Sequence, residues 1–310
     1  MAIVKTDIPI TAASCDNMIL ELAAAYPFCR TEQIATTAFG RPLRSLIMGN
    51  GDRRVIFTAA HHGNEWITSL LLLRFAEELA DAIQKGGRIF GVPAETIARY
   101  STVHIVPMVD PDGVDLVVGA IPEDSREYAF AKQIAGEYPE IPFADGWKAN
   151  LLGVDLNLQY PAGWLQAREI KFSQGYVSPA PRDYVGRAPL EQVEARALAA
   201  YTLDTDPALV LAFHSQGREI YWQFEDVFVP GAQALGEEFA RLSGYALADT
   251  PYESAYAGYK DWFIKYFRKP GYTIEVGQGE NPLPLSQFEE IYQDNLGILV
   301  TAATGLPNGQ

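Results

Sequence analysis

The hydrophobic and polar positions along this chain divide it into two kinds of segment. Four short runs of apolar and β-branched residues have the length and composition of buried strands: Arg54–Ala60, Thr102–Val109, Ala208–Phe213 and Tyr272–Val276. Apolar residues at helical spacing predict four longer helices: Cys15–Tyr26, Asn64–Ile83, Glu191–Leu203 and Leu285–Ala303. Because strands and helices alternate, the sequence predicts an α/β fold in which helices cover both faces of a sheet.

The chain of 310 residues shows no internal repeat and no low-complexity linker. Single α/β domains of this length are common, so residues 1–310 are expected to form one domain. Residues 1–40 are expected to be an N-terminal lead-in that packs on this domain. A turn is predicted at Asp110–Gly113, and long loops are predicted around residues 114–190 and 216–260.

Composition and charge narrow the classes of partner. The chain is 48% hydrophobic and 20% charged, which is typical of a soluble globular protein. Its net charge of −15 opposes binding to nucleic acid and to anionic membranes. No apolar run approaches the length of about 18 residues that a membrane span needs, so membrane insertion is not expected.

Two observations bear on the cellular compartment. The first seven residues contain Lys5 and Asp7 but no apolar signal segment, so a cytoplasmic location is expected. Cys15 and Cys29 are too few for a disulfide scaffold and do not form a metal pattern. Reduced thiols are the simpler expectation, although a single bridge between these two residues stays open.

Residues that carry chemistry follow the predicted strands. His62 and Glu65 come after the first strand at a spacing of three, so both side chains can reach one ion near the start of a helix. The chain has four histidines, and His214 follows the third strand. His104 lies within a strand and is more typical of a hydrogen-bonded core residue. His61 is interpreted as a partly buried neighbour of the ligands.

Histidine and carboxylate are ligands that zinc favours, and catalytic zinc sites commonly use three of them. His-x-x-Glu is short enough to occur by chance, and it gains weight because His62 and His214 both lie at strand ends, where α/β sheets bind ligands. A His-Glu-x-x-His motif is absent from the sequence, which argues against thermolysin-like chemistry.

Several segments, in this order, resemble the carboxypeptidase A-like zinc peptidases. They are His62-Gly-Asn-Glu65-Trp66, Gly153-Val-Asp155-Leu-Asn157, His214 and Thr273-Ile-Glu275-Val. The resemblance extends from about residue 40 to 300. It implies a mixed, mostly eight-stranded twisted sheet flanked by helices, and one zinc ion held by His62, Glu65 and His214.

Within that family, the chain is most similar to bacterial γ-D-glutamyl-diamino acid endopeptidases, which cut cell-wall peptides. The additional segments are Trp147-Lys-Ala-Asn150, His214-Ser-Gln-Gly217 with Ile220-Tyr-Trp222, and Gly258-Tyr-Lys-Asp-Trp262. The resemblance implies zinc-dependent hydrolysis of the γ-D-glutamyl–meso-diaminopimelate bond. The expected partner is therefore a murein peptide that contains D-Glu and a diamino acid.

The resemblance also implies roles for three residues near the metal. Glu275 matches the catalytic glutamate, which would take a proton from water and deliver it to the leaving amine. Asp155 matches a carboxylate that would accept the second ring N–H of His62. Lys148 stands where the family has an arginine, and would stabilise the oxyanion as a point charge.

Substrate-binding residues are less completely matched. Asn157 matches an asparagine that helps to bind the terminal carboxylate, but Leu158 replaces the arginine that ordinary carboxypeptidases have next to it. Lys260 resembles the position at the base of the side-chain pocket, where a cation would favour an acidic group. Two arginines, Arg218 and Arg182, are further candidates for binding carboxylates.

The family also has a mobile tyrosine near the scissile amide, for which Tyr252 and Tyr256 are both candidates. Two alternative functions stay open among enzymes, an ordinary metallocarboxypeptidase and an amino-acid deacylase, and Leu158 argues against the first. A third alternative is a non-catalytic module that binds wall peptides. The sequence leaves open the exact substrate, the physiological metal and the oligomeric state.

Overall fold

The fold is taken from a computed structural model that describes residues 2–305. Its strands are β1 (Arg30–Thr36), β2 (Pro42–Gly49), β3 (Arg53–Ala59), β4 (Arg88–Ile89), β5 (Val92–Pro93), β6 (Ser101–Val106), β7 (Leu209–Ser215), β8 (Glu219–Tyr221), β9 (Ala246–Ala248) and β10 (Gly271–Val276). Its helices are α1 (Ala12–Ala25), α2 (Ile67–Lys85), α3 (Ala94–Tyr100), α4 (Pro111–Val117), α5 (Arg126–Ala135), α6 (Trp164–Ser173), α7 (Val193–Thr205), α8 (Ala232–Ser243), α9 (Tyr259–Phe267) and α10 (Phe288–Thr304).

Eight strands form one mixed sheet in the order β1-β2-β6-β3-β7-β10-β8-β9. The four central strands, β6, β3, β7 and β10, run parallel to one another. On one side β2 and β1 continue the sheet in antiparallel fashion, and on the other side β8 pairs antiparallel with β10. The predicted α/β class and the eight-stranded mixed sheet are therefore confirmed.

The core lies on both faces of this sheet. Along β3, Val55 and Phe57 pack into one apolar cluster, while Ile56 packs into the cluster on the opposite face. This alternation follows from the pleat of a strand, in which successive side chains point to opposite faces. All three are fully buried, as expected for a central parallel strand covered by helices.

The lead-in is part of the same structure. Its helix α1 is tied to α4 by the backbone N–H of Ala12, which donates to Asp115 at 2.7 Å. Its strand β1 forms the edge of the sheet beside β2, an arrangement that the sequence did not predict. The side chains of Cys15 and Cys29 are both buried and free, so the single bridge that the sequence left open is absent.

Three expectations about the connections were wrong. The region around 114–190 contains α5 and α6, and the region around 216–260 contains β8, α8 and β9, so neither is one long loop. Asp110–Gly113 is a helix start, not a turn: Oδ1 of Asp110 accepts from the N–H of Gly113 at 2.9 Å and caps α4. Short edge strands and polar helices carry weak apolar patterns, which explains these errors.

Among residues 2–305, no helix is both long and apolar enough to cross a membrane.

Candidate active site

The three predicted metal ligands meet at the carboxyl ends of β3 and β7. His62 follows β3, Glu65 lies in the 3-10 turn before α2, and His214 is the next-to-last residue of β7. Nδ1 of His62 lies 2.9 Å from Oε1 of Glu65, and Nδ1 of His214 lies 2.9 Å from Oε2 of the same carboxylate. The sequence therefore predicted correctly that these three side chains would converge.

Asp155 fixes the far side of the His62 ring. Its Oδ1 lies 3.1 Å from Nε2 of His62, and it also accepts the backbone N–H of Asn157 at 3.1 Å. Its Oδ2 accepts the N–H of Asp183 at 3.2 Å. Although burial disfavours its charge, the His62 ring holds the pKa of Asp155 well below its usual value. A carboxylate held in this way directs Nδ1 of His62 toward the metal position.

The two remaining histidines, His61 and His104, contact other buried residues of the core. The ring of His61 is fully buried and stacks on His214, with the ring centroids 5.4 Å apart. Tyr259 covers it from another direction at 5.6 Å. His61 is thus a buried neighbour of the ligands, more deeply enclosed than the sequence suggested. His104 is a hydrogen-bonded core residue, as expected, with Nδ1 2.6 Å from the hydroxyl of Tyr201.

Glu275 lies beside the ligands because β10 pairs with β7. In the parallel register, Glu275 is the partner of His214, and on its other side it faces Glu219 of β8. Burial and the neighbouring Glu65 carboxylate raise the pKa of Glu275 to about 8. A carboxyl group with a pKa near neutrality can both accept and deliver a proton at physiological pH.

Lys148 provides a positive charge next to these acids. Its Nζ donates to Oε1 of Glu65 at 2.9 Å. Burial disfavours the ammonium form, but Glu65 outweighs burial and raises the pKa of Lys148 above its usual value. The ammonium group of Lys148 is therefore charged. It lies close enough to the metal ligands to stabilise an oxyanion that forms beside them.

An open cleft of about 730 Å³ leads to this centre. Of the predicted site residues, Lys148, Arg182 and Glu275 line it. It is also lined by residues that the sequence analysis did not assign to the site: Asn64, Asp145, Ser215, Gln216, Tyr221, Glu280 and Asn281. A signal for the last two was present, since Gly277–Pro282 is a polar, turn-forming segment directly after a predicted strand.

Two predicted substrate ligands are engaged elsewhere. Oδ1 of Asn157 accepts the N–H of Tyr259 at 3.1 Å and so supports the start of α9. Lys260 is only 3% exposed, and its Nζ donates to the carbonyl oxygen of Gln223 at 2.7 Å and pairs with Asp261 at 2.5 Å. Neither residue lines the cleft, and the charge of Lys260 is already neutralised inside the protein.

The two predicted arginines differ in their surroundings. Arg182 lines the cleft, and its Nε donates to Asp183 at 2.6 Å while its side chain keeps 39% of its surface exposed. Arg218 does not line the cleft. Its guanidinium pairs with Glu290 at 2.7 Å and with Asp294 at 3.1 Å, both on α10. The structure brings only Arg182 to the site.

The two candidate tyrosines lie together but are held differently. Tyr252 is 65% exposed in a 3-10 turn, and its ring meets that of Tyr256 edge-on at 6.0 Å. Tyr256 is partly buried, packs against Phe224 and lies close to Gly163. Neither ring lines the cleft, and Tyr252 is the more exposed of the two.

The ligand atoms fit a zinc ion. One atom from each of His62, Glu65 and His214 lies within 4.8 Å of the other two, and all three residues are buried. Two imidazole nitrogens and a carboxylate are a donor set that catalytic zinc uses, with a further position left for water. The hydrogen bond from the second nitrogen of His62 to Asp155 completes the arrangement expected around such an ion.

Comparisons with known proteins agree with this geometry. Residues 15–297 match the family model of the zinc carboxypeptidases. Over 286 residues the chain is 44% identical to γ-D-glutamyl-L-diamino acid endopeptidase 1 of Lysinibacillus sphaericus, an alignment that covers 92% of this chain and 69% of that protein.

Solved structures show the same fold at low identity. Thrombin-activatable fibrinolysis inhibitor superimposes with a TM-score of 0.77 at 14% identity, covering 100% of this chain and 78% of that chain. Carboxypeptidase A from Helicoverpa armigera gives a TM-score of 0.67 at 18% identity, covering 98% of this chain and 76% of that one. Since the family model spans most of the sequence, the chain belongs to the zinc carboxypeptidase family and is a zinc metallopeptidase.

Proposed function

We propose that this zinc metallopeptidase hydrolyses the γ-D-glutamyl–meso-diaminopimelate bond of murein peptides. The observation that supports this most strongly is the 44% identity, over 92% of this chain, to a γ-D-glutamyl-L-diamino acid endopeptidase. The cleft is compatible with such a substrate because Arg182 offers a cation to a substrate carboxylate, while Lys148 lies beside the metal ligands. The folded unit of residues 2–305 would act as one catalytic domain.

We assign the chemistry of the reaction as follows. Bound zinc would supply Lewis-acid activation of water and of the scissile carbonyl. Glu275 takes the proton from the attacking water at its carboxylate and then delivers it to the leaving amine. Burial and the Glu65 carboxylate raise the pKa of Glu275 to about 8, so its ionised form, which accepts a proton, and its protonated form, which delivers one, are both populated near neutral pH.

Other residues of the chain orient and stabilise the substrate. Lys148 stabilises the negative charge that develops on the carbonyl oxygen. Arg182 binds a substrate carboxylate through the guanidinium nitrogens that Asp183 leaves free. Tyr252 is the better candidate for the mobile tyrosine, because it is exposed while Tyr256 is packed.

An ordinary carboxypeptidase has less support. Leu158 stands where such enzymes have a carboxylate-binding arginine, and it is only 7% exposed in an apolar cluster with Trp164 and Val185. No cation is available at that position for a terminal carboxylate. The absence of that cation favours a substrate whose anionic groups are bound by residues that line the cleft.

We also propose that the enzyme acts in the cytoplasm, in the turnover or recycling of wall peptides. The free, buried thiols of Cys15 and Cys29 support a reducing compartment.

Turnover of L-Ala-γ-D-Glu-meso-diaminopimelate by purified protein tests the proposed reaction. Cleavage at the γ-glutamyl bond is expected, and both chelation and Glu275→Gln should abolish it. The matched control is Glu137→Gln, which makes the same change at an exposed glutamate on the surface. Zinc-loaded wild-type protein that cleaves C-terminal residues of ordinary peptides and ignores the murein tripeptide would refute the proposal.

A further inference from the structure

A second surface pocket lies between the segment that follows β8 and the start of α8. It has a volume of about 580 Å³, and none of the residues that line it also lines the catalytic cleft. Tyr221, the last residue of β8, lines the cleft, whereas Trp222 lines the pocket. The proposed reaction makes no use of this pocket.

An exposed aromatic side chain marks the apolar part of the pocket. Phe228 is 81% exposed, the largest exposed fraction of any large apolar residue among residues 2–305. Trp222 and Val229 line the same pocket, and Trp222 packs against the apolar clusters on both faces of the sheet. The wall of the pocket is therefore anchored in the core. An exposed aromatic residue beside a firmly held apolar wall is typical of a surface that binds another protein.

Three carboxylates line the same pocket, those of Glu225, Asp226 and Glu237. Glu225 has a cationic partner, Lys265, whose Nζ lies 3.5 Å from its Oε2. The side chain of Asp226 has neither a hydrogen bond nor an ion pair within the described chain. Glu237 accepts a hydrogen bond from the neutral amide of Gln233 at 2.9 Å and pairs with no cation between residues 2 and 305. The pocket therefore holds two unpaired negative charges next to exposed apolar surface.

The charges of the pocket and of the whole chain select the chemistry of its occupant. A large apolar side chain can displace water from Phe228, while a neighbouring lysine or arginine pairs with Asp226 or Glu237. A second copy of this chain is a poor match, because each copy has a net charge of −15 and two copies repel one another. The same net charge attracts a basic segment of another protein.

We propose that this pocket docks a basic segment of a partner protein, in which a large apolar side chain is flanked by lysine or arginine. Trp222 and Phe228 contact the apolar side chain, and Asp226 and Glu237 pair with the flanking cations. Turnover continues in the complex, because the pocket and the catalytic cleft share no residue. The docking site goes beyond the proposed reaction and does not depend on it.

Fluorescence anisotropy with a labelled peptide and the full chain, at about 0.15 M salt, tests the proposal. The probe is Gly-Lys-Leu-Phe-Lys-Lys-Gly. One analogue has glutamate in place of each lysine, and the other has serine in place of leucine and phenylalanine. The probe should bind at least about tenfold more tightly than either analogue. Both Asp226→Asn with Glu237→Gln and Phe228→Ser should weaken binding of the probe about tenfold and leave kcat/KM for the murein tripeptide unchanged.

Matched controls separate the pocket from the general negative charge of the protein. Asp124→Asn with Glu123→Gln makes the same change in net charge at two exposed acids outside the pocket. Leu203→Ser removes an apolar side chain that is 60% exposed and also lies outside it. Both controls should bind the probe as the wild type does.

Three results would overturn the proposal. The first is equal weakening by the pocket and control variants, or equal binding of the probe and its analogues. The second is competitive inhibition of turnover by the probe, which would place the peptide in the catalytic cleft. The third is a dimer in sedimentation equilibrium that Phe228→Ser dissociates, which would assign the pocket to a second copy of the chain.

Discussion

Nε2 of His62 lies 3.1 Å from Oδ1 of Asp155, on the side of the ring opposite to Glu65. This contact spans 93 residues of sequence. It joins the end of β3 to the 3-10 turn that Asp155 begins. The carboxylate thus selects the tautomer in which Nδ1 of His62 is free to bind a metal.

Asp155→Asn should therefore weaken zinc binding about 10- to 100-fold, because an amide neither carries the charge nor reliably accepts the ring N–H. Competition with a zinc chelator of known affinity measures this change directly. Asp124→Asn, at an exposed position, is the control. An unchanged zinc affinity in Asp155→Asn would show that this carboxylate does not orient the ligand.

Loss of the positive charge at Lys148 should lower kcat more than it raises KM. We expect Lys148→Met to reduce kcat about 10²- to 10³-fold, since removing one oxyanion-stabilising group has effects of this size. Lys148→Arg keeps the charge and should recover part of the loss. Steady-state kinetics on the murein tripeptide measure both parameters, with Lys5→Met as an exposed control. A change in KM alone would assign Lys148 to ground-state binding instead.

The metal centre was predictable because its signals are local and strongly constrained. His62 and Glu65 are three residues apart, and the chain has only four histidines from which to choose the third ligand. The strand that ends before His62 and the strands that contain His214 and Glu275 are continuous apolar runs, as central parallel strands are. Their carboxyl ends meet at one edge of the sheet, which places these side chains together.

The substrate-binding residues were less predictable, because their availability depends on distant contacts that local sequence patterns do not encode. Lys260 directly precedes Asp261 in sequence, yet only the fold shows that its ammonium is also held by the Gln223 carbonyl. Arg218 directly follows the segment His214–Gly217, but it turns toward Glu290 and Asp294 on a helix more than 70 residues away. Burial and distant partners decide whether such cations are available to a substrate.

The close approach of Tyr256 to Gly163 allows a test of how the segment with Tyr252 and Tyr256 packs against the start of α6. Gly163 has φ +70, and a Cβ there would come within 2.5 Å of the Tyr256 ring. We expect Gly163→Ala to lower the free energy of unfolding by about 2–3 kcal/mol, from backbone strain and from displacement of the ring. Urea denaturation measures this difference.

Gly91→Ala is the matched control, since Gly91 has φ +75 with nothing within 4 Å of the added methyl group. It should show the backbone strain alone, about 1 kcal/mol. If the two variants lose the same stability, the packing of Tyr256 against Gly163 contributes nothing measurable.

Glu194 should make the stability of the protein depend on pH. It is 1% exposed on α7, and the side chain of Asn150 lies close enough to its carboxylate to favour the ionised form. Burial, together with the negative charge of Asp112, raises the pKa of Glu194 from 4.5 to about 7. Its negative charge also raises the pKa of the buried Asp110 nearby, while Arg196 favours ionisation of Glu194.

The sign of the effect follows from proton binding. Between pH 4.5 and 7 the folded protein keeps the proton on Glu194 while the unfolded chain loses it, so stability falls as pH rises through this range. Glutamine resembles the protonated acid and cannot ionise. Glu194→Gln should therefore match the wild type near pH 4.5 and exceed it at pH 8 by up to about 3 kcal/mol. Urea denaturation of both proteins at the two pH values measures the change, with Glu137→Gln as the exposed control. A difference between variant and wild type that stays constant with pH would show that Glu194 is already ionised in the folded protein.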